Sequence, residues 1–246
     1  MGEATISLGL GLGGGKASTI SGRPAGGGSF SNTYSVDFDG TDDYVALGTN
    51  FAPFNFGTGE FTVTLWAYPH SLHTVTYQAL IGTHYISGTV WGAYMRSDGI
   101  FIYGGGALTG GGTLADDTWH HCVFTRNSGT VTVYLNGSSV ASVSNSNNYN
   151  SSSNMSRIGD DVSGSNPPFN GLIDEVACWK SGVSASDVTA IYNSGVPADL
   201  SSYNPEGYWR MGDNDGGTGT TITDQGSGGN DGTFEGPPTF STNVPS

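Results

Sequence analysis

The chain has 246 residues, 41 of them glycine, and a net charge of −14 from seven Lys and Arg against twenty-one Asp and Glu. Such acidity repels phosphate backbones, and seven scattered cations build no patch that could release counterions, which excludes a nucleic-acid partner. Abundant Gly with few Lys and Glu disfavours helix surfaces and predicts many short strands joined by tight turns, in one all-β unit.

Residues 1–33 read as an arm. Ile6, Leu8, Leu10 and Leu12 alternate with Ser7, Gly9 and Gly11, which predicts a strand with one apolar face. A single strand is not stable alone, so it must add to this domain's sheet, to a sister copy or to another protein. A Gly/Ser-rich linker follows over 22–29. The first 30 residues have Glu3 where a secretory signal is basic, Gly interrupts every apolar stretch, and no run of 18 apolar residues offers membrane insertion.

From Tyr34 the chain alternates through Val36 and Phe38, then Tyr44 and Val45 after an Asp-rich turn. Further strands are predicted over 61–66, 78–82, 91–95, 99–103, 119–125, 130–135 and 139–143, with Asn136-Gly137 supplying a tight hairpin turn. Residues 144–156 read as a Ser/Asn loop, and the triplets Gly104 to Gly106 and Gly110 to Gly112 as flanking a loop. One helix is predicted: Ser184 with Asp187 three residues on gives the cap, Val188, Ile191 and Tyr192 the apolar stripe, and Gly195 the end. The tail, 200–246, has too little to bury alone and is expected to pack on a sandwich spanning 34–199, most simply as a relocated edge strand.

The acids are lopsided, sixteen Asp to five Glu. Asp39, Asp42 and Asp43 crowd one tight turn, where unpaired carboxylates repel one another and a hard cation such as calcium relieves the repulsion. The only Cys residues, Cys122 and Cys178, cannot build a Cys-based zinc site and read as buried thiols acting as small hydrophobes, with a disulfide left open. His120 and His121 are neighbours on a strand, face opposite sides and cannot chelate one ion. Loop aromatics Tyr77, His84, Tyr85, Trp91 and Tyr149 are the candidates for stacking on a sugar, with His84, Tyr85, Trp91 and Tyr149 as the carbohydrate-binding set, while Trp66, Trp119 and Trp179 are expected in the core.

Five segments occur in one order: Phe38-Asp39-Gly40-Thr41-Asp42-Asp43-Tyr44-Val45, Trp119-His120-His121, Val133-Tyr134-Leu135-Asn136-Gly137, Ile158-Gly159 and Gly171-Leu172-Ile173-Asp174-Glu175-Val176. With these the chain resembles the laminin-G-like, concanavalin A-like jelly rolls from about residue 34 to 195. The resemblance implies a two-sheet antiparallel jelly-roll sandwich with one short helix. It also implies a structural calcium near the first and last segments, assigned to Asp39, Asp174 and Asp42. Related glycoside hydrolases use a Glu-rich active strand, and no Glu falls in the 37–42 window, so no enzymatic activity is expected. A sandwich of this kind without a visible export signal predicts a phage-type virion surface protein. It would dock other virion proteins, or a sister copy, through the arm and offer its lectin-like face to host surface glycans. The alternative is a free or cell-surface carbohydrate-binding module.

Overall fold

The computed structural model describes residues 30–83, 90–150, 155–161 and 166–246. The predicted strand over 6–12 and its linker, together with His84 and Tyr85, lie outside the described residues. Within them, period-two alternation becomes strands: in β1 (Ser35–Asp39), Val36 and Phe38 are wholly buried while Asp37 and Asp39 face out. The other strands are β2 (Tyr44–Thr49), β3 (Phe61–Pro69), β4 (Gln78–Thr83), β5 (Trp91–Arg96), β6 (Gly99–Gly104), β7 (Ala107–Gly111), β8 (His120–Asn127), β9 (Thr130–Leu135), β10 (Ser138–Ser144), β11 (Met155–Ile158), β12 (Asn170–Trp179), β13 (Gly207–Trp209), β14 (Thr221–Ile222), β15 (Gly232–Glu235) and β16 (Thr239–Ser241).

They form two eight-stranded antiparallel sheets among the described residues. The first runs β10-β9-β8-β3-β12-β1-β16, with β13 also pairing β12, and the second runs β14-β15-β2-β11-β4-β5-β6-β7. Between them lies a continuous apolar core. Phe61, Val63, Leu65, Cys122, Phe124, Ile173 and Val176 of the first sheet meet Ile81, Trp91, Met95, Ile100 and Ile102 of the second. Each such side chain contributes about 1.5–3 kcal/mol by leaving water. Cys122 and Cys178 are free thiols on β8 and β12, separated by β3, and burial pushes both thiols well up.

A smaller apolar layer covers part of the first sheet's outer face. Val123, Tyr134, Ala177 and Trp179 of the sheet meet Val183, Val188, Ile191 and Leu200. The last three of these belong to α1 (Ala185–Tyr192) and the segment after it. Ser184 caps α1 through the reciprocal Ser184–Asp187 arrangement that the sequence predicts. The helix closes earlier than predicted, at Asn193, which takes the left-handed conformation usually left to Gly.

Two regions depart from the sequence reading. The triglycine segments do not flank a loop: β6 and β7 form a hairpin whose turn, Gly105-Gly106, has positive φ at both residues, the geometry that a two-residue turn requires. The tail supplies four strands rather than one. In it, β13 lines β12 beyond the end of β1, β15 covers β2 and β16 covers β1, so both sheets are completed by the C-terminal residues.

Candidate functional site

The β1–β2 turn holds the acidic residues. Gly40 sits at φ +77°, and a side chain there would meet Asn170 Cβ at 2.8 Å, so the sharp turn depends on glycine. Asp39 Oδ1 accepts the Thr41 N–H at 2.7 Å and Asp43 Oδ2 accepts the Asp39 N–H at 3.0 Å, which locks the loop onto its own carboxylates. Asp43 is 2% exposed and its second oxygen, Oδ1, has no hydrogen-bond partner. Burial, and then repulsion from Asp39, Asp42 and Asp37, pushes its carboxyl above the usual range despite the bond from the Asp39 N–H.

One oxygen from each of Asp39, Asp42 and Asp43 lies within 4.8 Å of the others. These hard oxygens, in a turn where Asp43 also keeps a buried oxygen without a hydrogen-bond partner, fit a calcium ion whose remaining ligands would be backbone carbonyls and water.

Asp174 does not belong to this group. In the β1–β12 register Asp39 faces Asn170, and Asp174 lies four residues farther along β12, about 13 Å away at the usual strand rise. The expected grouping of Asp174 with Asp39 and Asp42 is therefore corrected: the third carboxylate at the turn is Asp43, and the crowding of three Asp in one turn is the signal that marked it.

Asp174 instead opens a buried polar seam. The β12–β3 register slips by one residue between Asp174 and Ala177, and Glu175 sits in the left-handed region at φ +47°. This bulge falls where β1 and β13 meet end to end along β12. Asp174 and Glu175 are 0% and 1% exposed. Arg210 Nε donates to Glu175 Oε1 at 2.9 Å, its Nη2 reaches Asp213 Oδ2 at 2.8 Å and the Ser31 carbonyl at 2.6 Å, and the Tyr208 hydroxyl donates to Glu175 Oε2.

Asn32 Nδ2 donates to Asp174 Oδ2 at 2.8 Å, and Asp213 Oδ1 accepts the Thr33 and Tyr34 N–H groups. Glu175 and Asp213 thus share one guanidinium, while Asp174 beside them is held by Asn32 and the Glu175 N–H. Burial raises Glu175 to about 7 against the pull of Arg210, and burial with repulsion from Glu175 raises Asp174 well above the carboxylate range.

The expected sugar-stacking rings are relocated. Trp91 is 1% exposed, donates its indole N–H to the Phe54 carbonyl at 3.0 Å and packs on Phe54 and Phe56. Tyr149 is fully buried because its loop pairs back on Gly57. Its ring lies beside Phe61 and under the buried Arg126 guanidinium, and its hydroxyl accepts from Asn145 Nδ2 at 3.2 Å. Neither ring presents a face to solvent, which corrects both assignments. Tyr77 is half-buried and lies beneath Arg96, whose Cζ is 4.3 Å from its centroid. Trp66 and Trp179 are buried as expected, whereas Trp119 is half-buried and at the surface. His121 packs between Trp66 and Tyr192 on the outer face, and burial lowers its ring to about 3. His120 bonds the Ala115 carbonyl at 3.0 Å.

Two antiparallel sheets enclosing one core, with a short helix laid on one outer face, define a concanavalin A-like sandwich. The model of the concanavalin A-like lectin/glucanases superfamily matches residues 39–189, and the chain belongs to that superfamily. No curated protein matches the chain. Among solved structures, a Bacteroides ovatus protein provisionally described as carbohydrate binding is 18% identical, with a TM-score of 0.66 over 88% of this chain. That likeness shows a shared fold, and the chain spans 62% of that protein's length.

The SAP-like pentraxin of Limulus polyphemus is 14% identical with a TM-score of 0.48, covering 65% of this chain and 82% of the pentraxin. Domain 4 of the Geobacillus stearothermophilus arabinanase AbnA, solved with arabinotriose, is 21% identical with a TM-score of 0.46, covering 64% of this chain and 76% of that domain.

Proposed function

We propose that the chain is a non-catalytic carbohydrate-binding module, stabilised by calcium at Asp39, Asp42 and Asp43, that serves as the recognition part of a virion surface protein anchored through its N-terminal arm. The observation that carries the carbohydrate reading is membership of the lectin/glucanases superfamily across a match that begins at the acidic turn and ends in α1. The unpartnered buried oxygen of Asp43 supports the calcium. The sealed position of Asp174 and Glu175 supports the absence of catalysis, because a hydrolytic carboxylate pair has to face a cleft. The alternation of Ile6, Leu8, Leu10 and Leu12 ahead of a Gly-rich linker supports the anchor.

The test is binding of the full chain to host cells and their extracted surface polysaccharides, with calcium and with EDTA. Calcium-dependent binding is expected, and no binding to any polysaccharide in either condition removes the carbohydrate reading. Deleting residues 1–29, which leaves the Phe30–Arg210 contact in place, is expected to spare the fold and abolish incorporation into particles. Undiminished incorporation removes the anchor.

A further inference from the structure

Among the described residues, the outer face of the first sheet is covered only in part. The apolar layer under α1 ends at Tyr192, whose ring stacks on Trp66 at 5.9 Å and on His121 at 5.8 Å. The next row across the sheet lies beyond that cover. Asp37 is paired with Leu172, Leu172 with Tyr68, and Trp119 immediately precedes His120, the partner of Ala67, so Tyr68 and Trp119 stand side by side. Their ring centroids are 5.4 Å apart at 57°, and both rings are half-buried.

The row is held in place by its neighbours. The Trp119 indole N–H donates to Asn243 Oδ1 at 3.1 Å, which fixes the ring. His70 stands 5.7 Å from Tyr68 and bridges two exposed carboxylates, Nε2 to Asp37 Oδ1 at 3.3 Å and Nδ1 to Asp117 Oδ1 at 3.5 Å. Asp37 and Asp117 side chains are 39% and 67% exposed, so each keeps acceptor capacity toward solvent.

From this arrangement we infer that the strip Tyr68–Trp119, rimmed by Asp37, His70 and Asp117, is the saccharide-binding surface of the module and takes neutral sugars. The inference rests on the carbohydrate reading above and gives it a place and a ligand class. A pyranose presents an apolar face of C–H groups and an edge of hydroxyls. Two preset aromatic rings match the first, and carboxylate acceptors match the second with charge-assisted bonds. Rings already fixed by packing and by Asn243 lose little freedom when a ligand arrives.

The selection against acidic sugars follows from charge. Asp37 and Asp117 line the strip, Asp116 adjoins it, and Asp39 continues it along β1, and among the described residues no Lys or Arg pairs with Asp37 or Asp117. A sialic acid, uronic acid or sulfated sugar would meet a field of like charge.

The experiment is glycan-array binding of the full-length protein in calcium, with neutral, sialylated, uronic and sulfated glycans, followed by titration of the best ligand. The variants are Trp119→Ala, Tyr68→Ala and Asp117→Asn, with Leu108→Ala, an exposed position on the second sheet, as the comparison. Asp117→Asn keeps the side-chain shape, and Asn is the residue that best tolerates the left-handed backbone at 117, so it decides the matter should either aromatic variant fail to fold.

Expected are neutral glycans only, a loss of tenfold or more in Trp119→Ala and Tyr68→Ala, a loss of three- to tenfold in Asp117→Asn, and unchanged binding in Leu108→Ala. Neutral-glycan binding that survives all three strip variants overturns this placement and leaves the carbohydrate reading standing. Preference for acidic glycans overturns the charge argument. A wild-type chain that binds no glycan at all removes the carbohydrate reading and this inference with it.

Discussion

Two of the carboxylate clusters in the molecule are handled in opposite ways. At the β1–β2 turn, Asp39 and Asp42 stay in water, Asp39 accepts the Thr41 N–H, and among the described residues no guanidinium or ammonium pairs with either. At the β12 bulge, Asp174, Glu175 and Asp213 are withdrawn from water and share Arg210, Tyr208, Asn32 and the backbone of Thr33 and Tyr34. The comparison teaches that a count of acids does not locate a metal. A group that leaves water must bring its own compensation, whereas a solvated one can wait for a cation from solution.

The largest test of that contrast is Arg210→Met. Removing the guanidinium leaves buried carboxylates unpaired, and a loss of about 3–5 kcal/mol in urea denaturation at neutral pH is expected. A loss below about 1 kcal/mol would show that protonation alone compensates the seam.

Next is the pH response. Glu175 is raised from 4.5 to about 7, so between those values the folded chain binds more protons than the unfolded one. Its contribution is fully present below pH 4.5 and is lost as pH rises through about 7, on the order of 3 kcal/mol, with Asp174 acting in the same direction. Melting curves at pH 4.5 and 7.5 should show the fall, and Glu175→Gln should flatten it.

At the turn the expected effects are smaller and depend on calcium. Saturating calcium should stabilise the fold by about 1–3 kcal/mol in thermal melts, EDTA should reverse it, and Asp43→Asn should abolish the response. Asp174→Ala sharpens the comparison: it should lower the melting temperature while leaving the calcium increment intact, and loss of that increment would join the two groups after all. Smallest is Asp42→Asn. Without calcium it relieves repulsion at an exposed site and should change stability by no more than about 0.5 kcal/mol, while calcium affinity falls several-fold.

Most of the fold could be read from the chain because its signals are local. Alternation set β1, β3, β8 and β9. Asn136 and Gly137, both at positive φ, make the hairpin turn their sequence predicts, and Ser184 with Asp187 makes the predicted cap. The site was less legible because its determinants are not local. Asp174 sits in a segment that matches the family, but its partner on β1 is set by register, and the bulge at Glu175 turns the next residues by a displacement that no pattern in 171–176 announces.

Trp91 and Tyr149 failed as ligand candidates for a different reason. Nearly every residue of β5 is buried on one face or the other, so alternation there does not separate core from surface. Trp119 failed in the reverse sense, because the helix that shields one half of the sheet stops at Tyr192. Where a cover ends depends on tertiary packing, and the residues beneath it carry no mark of it.

The tail gives the chain a timetable. Val36 pairs with Phe240 and Tyr44 with Glu235, so the first strands of both sheets wait for partners some 190–200 residues downstream. During synthesis one border each of β1 and β2 stays open until β15 and β16 have been made, and contacts of such span form slowly. A ribosome that stops short of β15 releases a product with two bare strand borders, ready to zip onto any neighbour. Synthesis through β16 is therefore as much a condition for a well-behaved chain as any residue in the core.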